Sequence, residues 1–253
     1  KFSFRNMKPR KILDMIGMNK TQTNVGALEG AMSRLAAAKG FYSISDVIRV
    51  LKENEEGNAS SLISALDSLE SKRIFAARGT RMDDIVREGK TTIITLKGTE
   101  PDVQAFVVDK LSTALFELRK RNKIPPMMMF AEEAHNFCPQ RGKTESSEIF
   151  QTIASEGRKF GLGLGIITQR PAKVDKNVLS QCNTQVILKV TNPNDLKAIE
   201  SSVEGLSKEM AEEVQRLSIG EAIVSGGGLS EPLFLEVRPR ETQDGGSSIR
   251  VVG

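Results

Sequence analysis

The chain has 253 residues, and 36 Lys and Arg against 32 Asp and Glu leave a net charge of +4 with the one His neutral. At roughly 100 to 200 residues per domain this is one large domain or two small ones, and 39% apolar and 27% charged residues with 21 Gly and 9 Pro exclude collagen-like, mucin-like and disordered chains. No apolar run approaches the ~18 residues of a membrane span, and the start, KFSFRNMKPRK, lacks the apolar core of a signal peptide. An intracellular, cytoplasmic chain without a membrane partner is expected. Cys138 and Cys182 are too few for a disulfide framework or a thiolate zinc site and read as buried thiols. His135 stands alone, which excludes HExxH and zinc-finger spacings, so any metal must be held mainly by oxygen. A charge of +4 permits nucleic acid as a partner without demanding it, and the placement of the charges must decide.

From Lys1 to about Arg87 apolar residues recur at three- and four-residue spacing, as in Leu62, Ile63, Leu66 and Leu69 behind the cap candidate Ser60. That third is expected to be helical. After the break Arg87-Glu88-Gly89-Lys90, the β-branched TTIITL reads as a buried strand bounded by Gly98. A helix follows, with Thr99 as N-cap, Asp102 three residues on, and a face of Val107, Val108, Leu111, Ala114, Leu115 and Leu118. It closes on Arg119-Lys120-Arg121, favourable at the negative end of the helix dipole, and the chain turns through Pro125-Pro126 into the apolar strand MMMFA. Ile149, Phe150 and Ile153 predict a helix within Glu145 to Phe160, and Leu162 to Thr168 another buried strand. Further strands are expected at Gln185 to Val190 and Glu221 to Val224, with a helix over Ser207 to Leu217 and a turn-rich tail, TQDGGSSIRVVG. The alternation predicts an α/β fold, a mostly parallel sheet covered by helices through right-handed crossovers.

In such a sheet the residues just past the carboxyl ends of the strands converge. Three segments qualify: Glu132 and Glu133 after MMMFA, Thr168, Gln169 and Arg170 after GLGII, and Lys97 and Gly98 after TTIITL. Adjacent carboxylates there can hold a hydrated Mg²⁺, directly or through water, while the second polarises an attacking water that a neighbouring Gln positions. Mg²⁺ suits the arrangement because it keeps several waters and needs only one or two carboxylates plus phosphate oxygens. The same pair could instead simply solvate a strand end, and His135 reads as satisfied by neighbouring hydrogen bonds rather than as a metal ligand.

MMMFAEEAHNF resembles the Walker B strand of P-loop ATPases. With ASEGRKFGLGLGIITQRPAKVDKNVLSQCNTQVILKVTNPND it resembles the archaeal HerA DNA translocases of the HerA/FtsK class, from about Thr92 to about Val237. The resemblance implies a RecA-like P-loop NTPase core over residues 91–240, after a helical segment 1–90 and before a tail 241–253. It implies ATP and Mg²⁺ as cofactors, with Glu132 and Thr168 on the nucleotide side and Glu132 at the Mg²⁺-associated position. Glu133 becomes the catalytic carboxylate, Gln169 the sensor, and Arg158 the arginine presented to a neighbouring subunit's nucleotide. By itself Arg158, near a helix end, suits an ordinary dipole or surface role equally well. The family more often has Asp where Glu132 stands, which favours contact through water. DNA, a homo-hexameric ring and a NurA-type nuclease partner are further implications, in the processing of DNA ends for recombinational repair.

The chain nowhere contains GxxxxGK[ST]; Gly161-Leu162-Gly163-Leu164-Gly165 enters a strand rather than a helix and reads as close packing. The phosphate cradle of the resembled family lies upstream, with an N-terminal barrel domain, so the expectation is a C-terminal portion of a longer motor. For DNA the candidates are Arg141 and Lys143, on the loop after the acidic pair, as phosphate contacts, with Arg170, Lys173 and Lys176 as a second set that also suits a subunit interface. The loop equally fits a solvated surface. Two other readings stand beside the motor: an assembly and DNA-binding module without catalysis of its own, and a metal-dependent nuclease built on the Glu pair, which lacks a third acidic ligand.

Overall fold

The structure, a computed structural model, describes residues 1–53, 59–203 and 208–243. Ser207 and residues 244–253 of the expected tail lie outside the described residues. The chain divides into two compact units, Lys1–Thr99 and Glu100–Gly253.

In the first unit, β1 (Phe2–Ser3) precedes α1 (Pro9–Met15), α2 (Gln22–Lys39), α3 (Ile44–Glu53), α4 (Ser60–Ser71), β2 (Phe75–Ala76) and α5 (Met82–Ile85). Local chemistry fixes the helix limits. Thr21 caps α2 by accepting from the Asn24 amide at 3.2 Å, and Gly40, at φ +71°, ends it where a side chain would be strained. Before α3, the Ser43 amide donates to Asp46 and the Asp46 amide to Ser43 Oγ, a reciprocal cap. The buried faces, Leu28, Ala31 and Leu35 of α2, Val47, Ile48 and Leu51 of α3, and Leu62, Leu66 and Leu69 of α4, bear out the helical periodicity. Each fully buried Leu contributes roughly 1.5–3 kcal/mol. β1 and β2 pair in parallel, and Phe4 meets Phe75 edge-on at 5.4 Å.

TTIITL forms no strand. Residues 91–96 have no regular structure, with Ile93 86% exposed. A parallel strand needs a neighbour to complete its ladder and helices to cover it, and no described segment pairs with this one. Lys97 and Gly98 accordingly close a turn, in which the Thr99 amide donates to the Leu96 carbonyl at 3.2 Å, rather than ending a strand.

The second unit runs α6 (Pro101–Lys120), β3 (Met127–Ala131), α7 (Ser147–Glu156), β4 (Leu162–Ile166), α8 (Lys176–Leu179), β5 (Thr184–Ile187), α9 (Pro193–Ser202), α10 (Lys208–Arg216), β6 (Glu221–Gly226) and β7 (Leu233–Glu236). Pro101 opens α6 and moves its cap to Glu100, one residue past the expected Thr99. Its buried stripe is Val103, Ala105, Phe106, Leu115 and Phe116, so of the expected face only Leu115 is buried, while Val107, Val108, Leu111, Ala114 and Leu118 are half-buried. Arg119 is also buried. Its guanidinium donates to the Phe160 carbonyl at 2.8 Å and to the Ile124 carbonyl, holding the turn into β3.

β3 and β4 pair in parallel from Met127↔Leu162 to Ala131↔Ile166 through the crossover helix α7, as the alternation predicts. One face packs Met127, Met129 and Leu164 against the core of Phe116, Ile153 and Leu162. On the other, Met128 and Phe130 are exposed and lie over Gly163 and Gly165, where an added Cβ would fall 2.1 Å from Met128 Sδ and 2.3 Å from Phe130 Cδ1. The glycines therefore serve close packing, as read from the sequence. A second core, Ile187, Leu196, Ile199, Val203, Val214, Leu217 and Ile223, lies between α9, α10 and the sheet β5-β6-β7. That sheet is antiparallel throughout, and β7 was not expected. No described helix is long and apolar enough to cross a membrane.

Candidate active site

Ala131 ends β3, so Glu132 and Glu133 fall in the turn beyond its carboxyl end, both exposed. The ladder continues past the strands: the Ile167 amide donates to Ala131 O at 3.0 Å and the Ala134 amide to Ile167 O at 3.1 Å. This fixes the acidic turn against the segment Thr168–Arg170. Glu133 sits in the left-handed region at φ +49°, a conformation that costs a non-glycine residue about 1 kcal/mol. Its Oε2 lies 3.4 Å from His135 Nδ1, which in turn is 3.1 Å from Thr168 Oγ1. Thr168 Oγ1 also accepts from the Arg170 amide at 3.0 Å. Both contacts meet at the same ring nitrogen, so Glu133 and Thr168 lie together beside His135 across the two strand ends, and His135 is engaged by neighbours as the sequence suggests. Gln169, between Thr168 and Arg170, is exposed with no side-chain partner among the described residues, so its amide is available to water.

Arg158 is placed elsewhere. It lies in the 3-10 turn Gly157–Phe160 that feeds the amino end of β4, exposed and without an ion pair among the described residues. The five residues of β4, roughly 16 Å at 3.3 Å each, separate it from the opposite strand end that holds Thr168.

The basic candidates converge more than the sequence indicated. The Gln140 amide donates to Lys173 O at 2.8 Å, the Lys176 amide to Gln140 Oε1 at 2.8 Å, and the Asp175 amide to Cys138 O at 2.8 Å. At its far end the loop is held by Thr144 Oγ1, which donates to Phe137 O at 2.6 Å. Arg141 and Lys143 are thereby carried beside Lys173 and Lys176, all four exposed. Lys143 reaches Glu148 at 3.8 Å, but both side chains are more than three-quarters exposed, which leaves that pair little energy. Sequence reasoning missed the residues that bring the two basic segments together: Gln140, and Asp175, which caps α8 and accepts from Gln151 Nε2 at 2.9 Å. Their only sequence signal was Asp175 ahead of a short apolar run.

Cys138 is buried and donates to Ala134 O, and burial pushes its thiol up to about 12. Cys182 is half-buried and raised for the same reason. Neither is a nucleophile near neutral pH. Among the described residues no three His, Cys, Asp or Glu side chains are grouped to enclose a metal. Two adjacent exposed carboxylates fit Mg²⁺, which keeps its waters and draws on phosphate oxygens. The phosphate cradle does not fit this chain: the glycines entering β4 are filled by Met128 and Phe130 and open a strand, not a helix.

Residues 102–231 match the family described as helicase HerA-like C-terminal. The chain belongs to that family. Among HerA relatives, the DNA double-strand break repair helicase HerA of Sulfolobus acidocaldarius is 29% identical over 257 residues, covering 96% of this chain and 51% of that protein. The one from Pyrococcus furiosus is 39% identical over 184 residues, covering 60% of this chain and 33% of that protein. The chain spans about half the length, or less, of the curated HerA relatives it matches. Among solved structures, VirB4 of Thermoanaerobacter pseudethanolicus superimposes with a TM-score of 0.56 at 14% identity, over 92% of this chain and 68% of that one. The plasmid coupling protein TrwB superimposes with a TM-score of 0.54 at 14% identity, over 94% and 69%. These neighbours share the fold of the HerA-like chain, α/β with the parallel β3–β4 pair at its core.

Proposed function

We propose that the chain is the C-terminal ATPase portion of a hexameric, ATP-dependent DNA translocase or helicase that prepares DNA ends for recombinational repair, working in the cytoplasm with a NurA-type nuclease. The observation that carries this reading is the parallel β3–β4 pair, which brings Glu133, His135 and Thr168 together beside Gln169 past one end of the two strands. Relatives named as DNA double-strand break repair helicases support the substrate class.

In this reading Glu132 meets Mg²⁺ through water, since one methylene more than Asp lengthens its reach. Glu133 polarises the attacking water, and Gln169, whose amide has no protein partner, positions it. Thr168 transmits the state of the nucleotide side to the turn it shares with Arg170. Arg158 serves the neighbouring subunit, an assignment supported by its distance from the acidic turn of its own chain. Arg141 and Lys143, with Arg170, Lys173 and Lys176, contact DNA phosphates without reading bases.

The test is Glu133→Gln in the complete protein. The amide preserves shape but cannot act as a carboxylate, so steady-state ATP turnover should fall by at least about 10²-fold while nucleotide affinity holds. Near-normal hydrolysis would sink the assignment. A second reading, an assembly and DNA-binding module without catalysis, is favoured by the lack of GxxxxGK[ST] in these 253 residues. It predicts that the 253-residue chain binds DNA but no ATP, and tight ATP binding by that chain would exclude it.

A further inference from the structure

The positive charge of the chain is not shared between its units. Residues 1–99 hold 17 Lys and Arg against 11 Asp and Glu, a net +6, whereas residues 100–253 hold 19 against 21, a net −2. The unit with the acidic turn is therefore the less basic one, and the cations proposed there for DNA sit in a slightly acidic body.

Within the basic unit several cations are neutralised locally: Lys20 by Asp14, Lys39 and Arg49 by Asp46, Arg81 by Asp83 and Arg87 by Asp84. Arg5 and Arg78 differ. Both are exposed, and neither has a carboxylate partner among the described residues. They are held instead by the ring of Phe41, 48% exposed, with the Arg78 guanidinium carbon 4.8 Å and that of Arg5 6.0 Å from its centroid. Arg5 also donates to the Gly40 carbonyl. An aromatic face and a carbonyl orient a guanidinium without cancelling its charge, so both arginines keep their positive charge beside the same ring.

The fold fixes their pairing. β1 and β2 are parallel with Phe2↔Phe75 and Ser3↔Ala76 in register, so Arg5 and Arg78 each stand two residues past the last paired position. Ser3 Oγ donates to Ala77 O at 3.0 Å, the Thr80 amide donates to Lys1 O at 2.8 Å, and Gly79 approaches so closely that a Cβ would lie 2.8 Å from the Ser3 nitrogen. Phe41 follows the glycine that ends α2 and so leaves the helix path beside Arg5. Asp46, the acid at the start of α3, is already engaged by Ser43, Lys39 and Arg49.

We propose that Arg5, Phe41 and Arg78 form an anion clamp for the phosphodiester backbone of DNA, a contact separate from the loop after β3. Guanidinium groups match phosphate oxygens bidentately, and groups already oriented by the ring lose less side-chain entropy on binding. With phosphates as its target, the clamp selects no base sequence. The proposal rests on the reading of the chain as part of a DNA motor.

The test is a fluorescence-anisotropy titration of labelled duplexes of unrelated sequence with the 253-residue protein across a salt series. Arg5→Ala with Arg78→Ala should weaken binding about equally on every duplex and flatten the slope of log K against log salt by up to about two, roughly one for each lost contact. Phe41→Ala keeps both charges and should lower affinity with little change in slope. Arg81→Ala with Arg87→Ala, which removes the same charge from paired positions, should move the slope far less. Where the double clamp variant loses its fold by circular dichroism, Arg78→Ala alone should cost about one unit of slope and Arg5→Lys with Arg78→Lys almost none. Wild-type binding together with unchanged affinity and slope in folded clamp variants overturns the clamp alone, as does an equal effect of the Arg81 and Arg87 pair. Absence of DNA binding by the wild type overturns the DNA-motor reading and the clamp with it. Saturable binding of inorganic phosphate that depends on Arg5 and Arg78, with DNA binding unaffected by their loss, would make this a site for a free anion and overturn the DNA assignment.

Discussion

Asp46 shows how much one side chain organises. Its carboxylate accepts from the Ser43 amide and hydroxyl at 3.0 Å each, from Lys39 at 2.9 Å and from Arg49 at 2.9 Å. The backbone bond from Ser43 and then the bond from Lys39 hold its pKa down to about 2. A folded value below the unfolded ~3.9 stabilises the folded state at pH values above the unfolded one, and that gain is lost as pH falls from about 4 toward 2. Asp46→Asn should therefore lower the thermal midpoint at neutral pH, by the equivalent of roughly 2 kcal/mol at most. It should leave the variant with a shallower loss of stability between pH 4 and pH 2. Calorimetry across that range checks this, and parallel wild-type and variant curves would refute it. The spacing of Ser43, Asp46 and Arg49 made a helix cap and an i,i+3 pair legible, but the bond from Lys39 at the end of α2 was not, since it depends on the turn between the two helices. Glu133 was legible from the acidic pair after an apolar strand, but its left-handed backbone and its contact with His135 were not, since both depend on where Ile167 and Thr168 lie.

At the scale of elements, β3 and β4 explain a composition that invites misreading. Gly163 and Gly165 have the look of a phosphate loop, yet each is the flat seat for a large cross-strand neighbour, Met128 or Phe130. Gly163→Ala must push Met128 aside. Because Met128 is 56% exposed and flexible, the cost should be modest, about 1 kcal/mol. Gly165→Ala must displace the Phe130 ring, which is 65% exposed but meets the added Cβ with three ring atoms and moves only as a rigid body, so it should cost somewhat more, about 2 kcal/mol. Urea denaturation of the two variants measures the order, and an equal or reversed order would mean that the strands separate rather than their side chains shifting. The apolar runs of β3 to β6 were readable because each strand sets at least one apolar face against a helix-covered core. TTIITL has the same composition without a partner strand among the described residues, so composition alone could not predict its fate. For α6, the Leu- and Val-rich face competed with a second stripe through Phe106 and Phe116, and the larger aromatic area prevailed in burial.

At the scale of the whole molecule, the separation of Arg158 from the acidic turn makes a specific demand on assembly. Arg158 stands at the amino end of β4, and Glu133 lies past the carboxyl end of its partner strand β3, so within one chain the strand length keeps them apart. A guanidinium can offset charge developing on a γ-phosphate only from within a few ångströms. If Arg158 has that role, the phosphate it serves must belong to another subunit. Mixing complete proteins carrying Arg158→Ala with others carrying Glu133→Gln tests this directly. In a ring where each site takes Glu133 from one subunit and Arg158 from the next, mixing produces some sites with both lesions and some with neither. Mixed assemblies should then regain a measurable part of wild-type ATP turnover, rising to a maximum near equal proportions. If Arg158 acts within its own chain, every site keeps exactly one lesion whatever the mixture, and activity stays flat at the level of the two parents. Size-exclusion chromatography with light scattering must show that both variants enter the same ring. With that established, a flat mixing curve would remove Arg158 from the catalytic site and return it to the surface role that its helix-end position also allows.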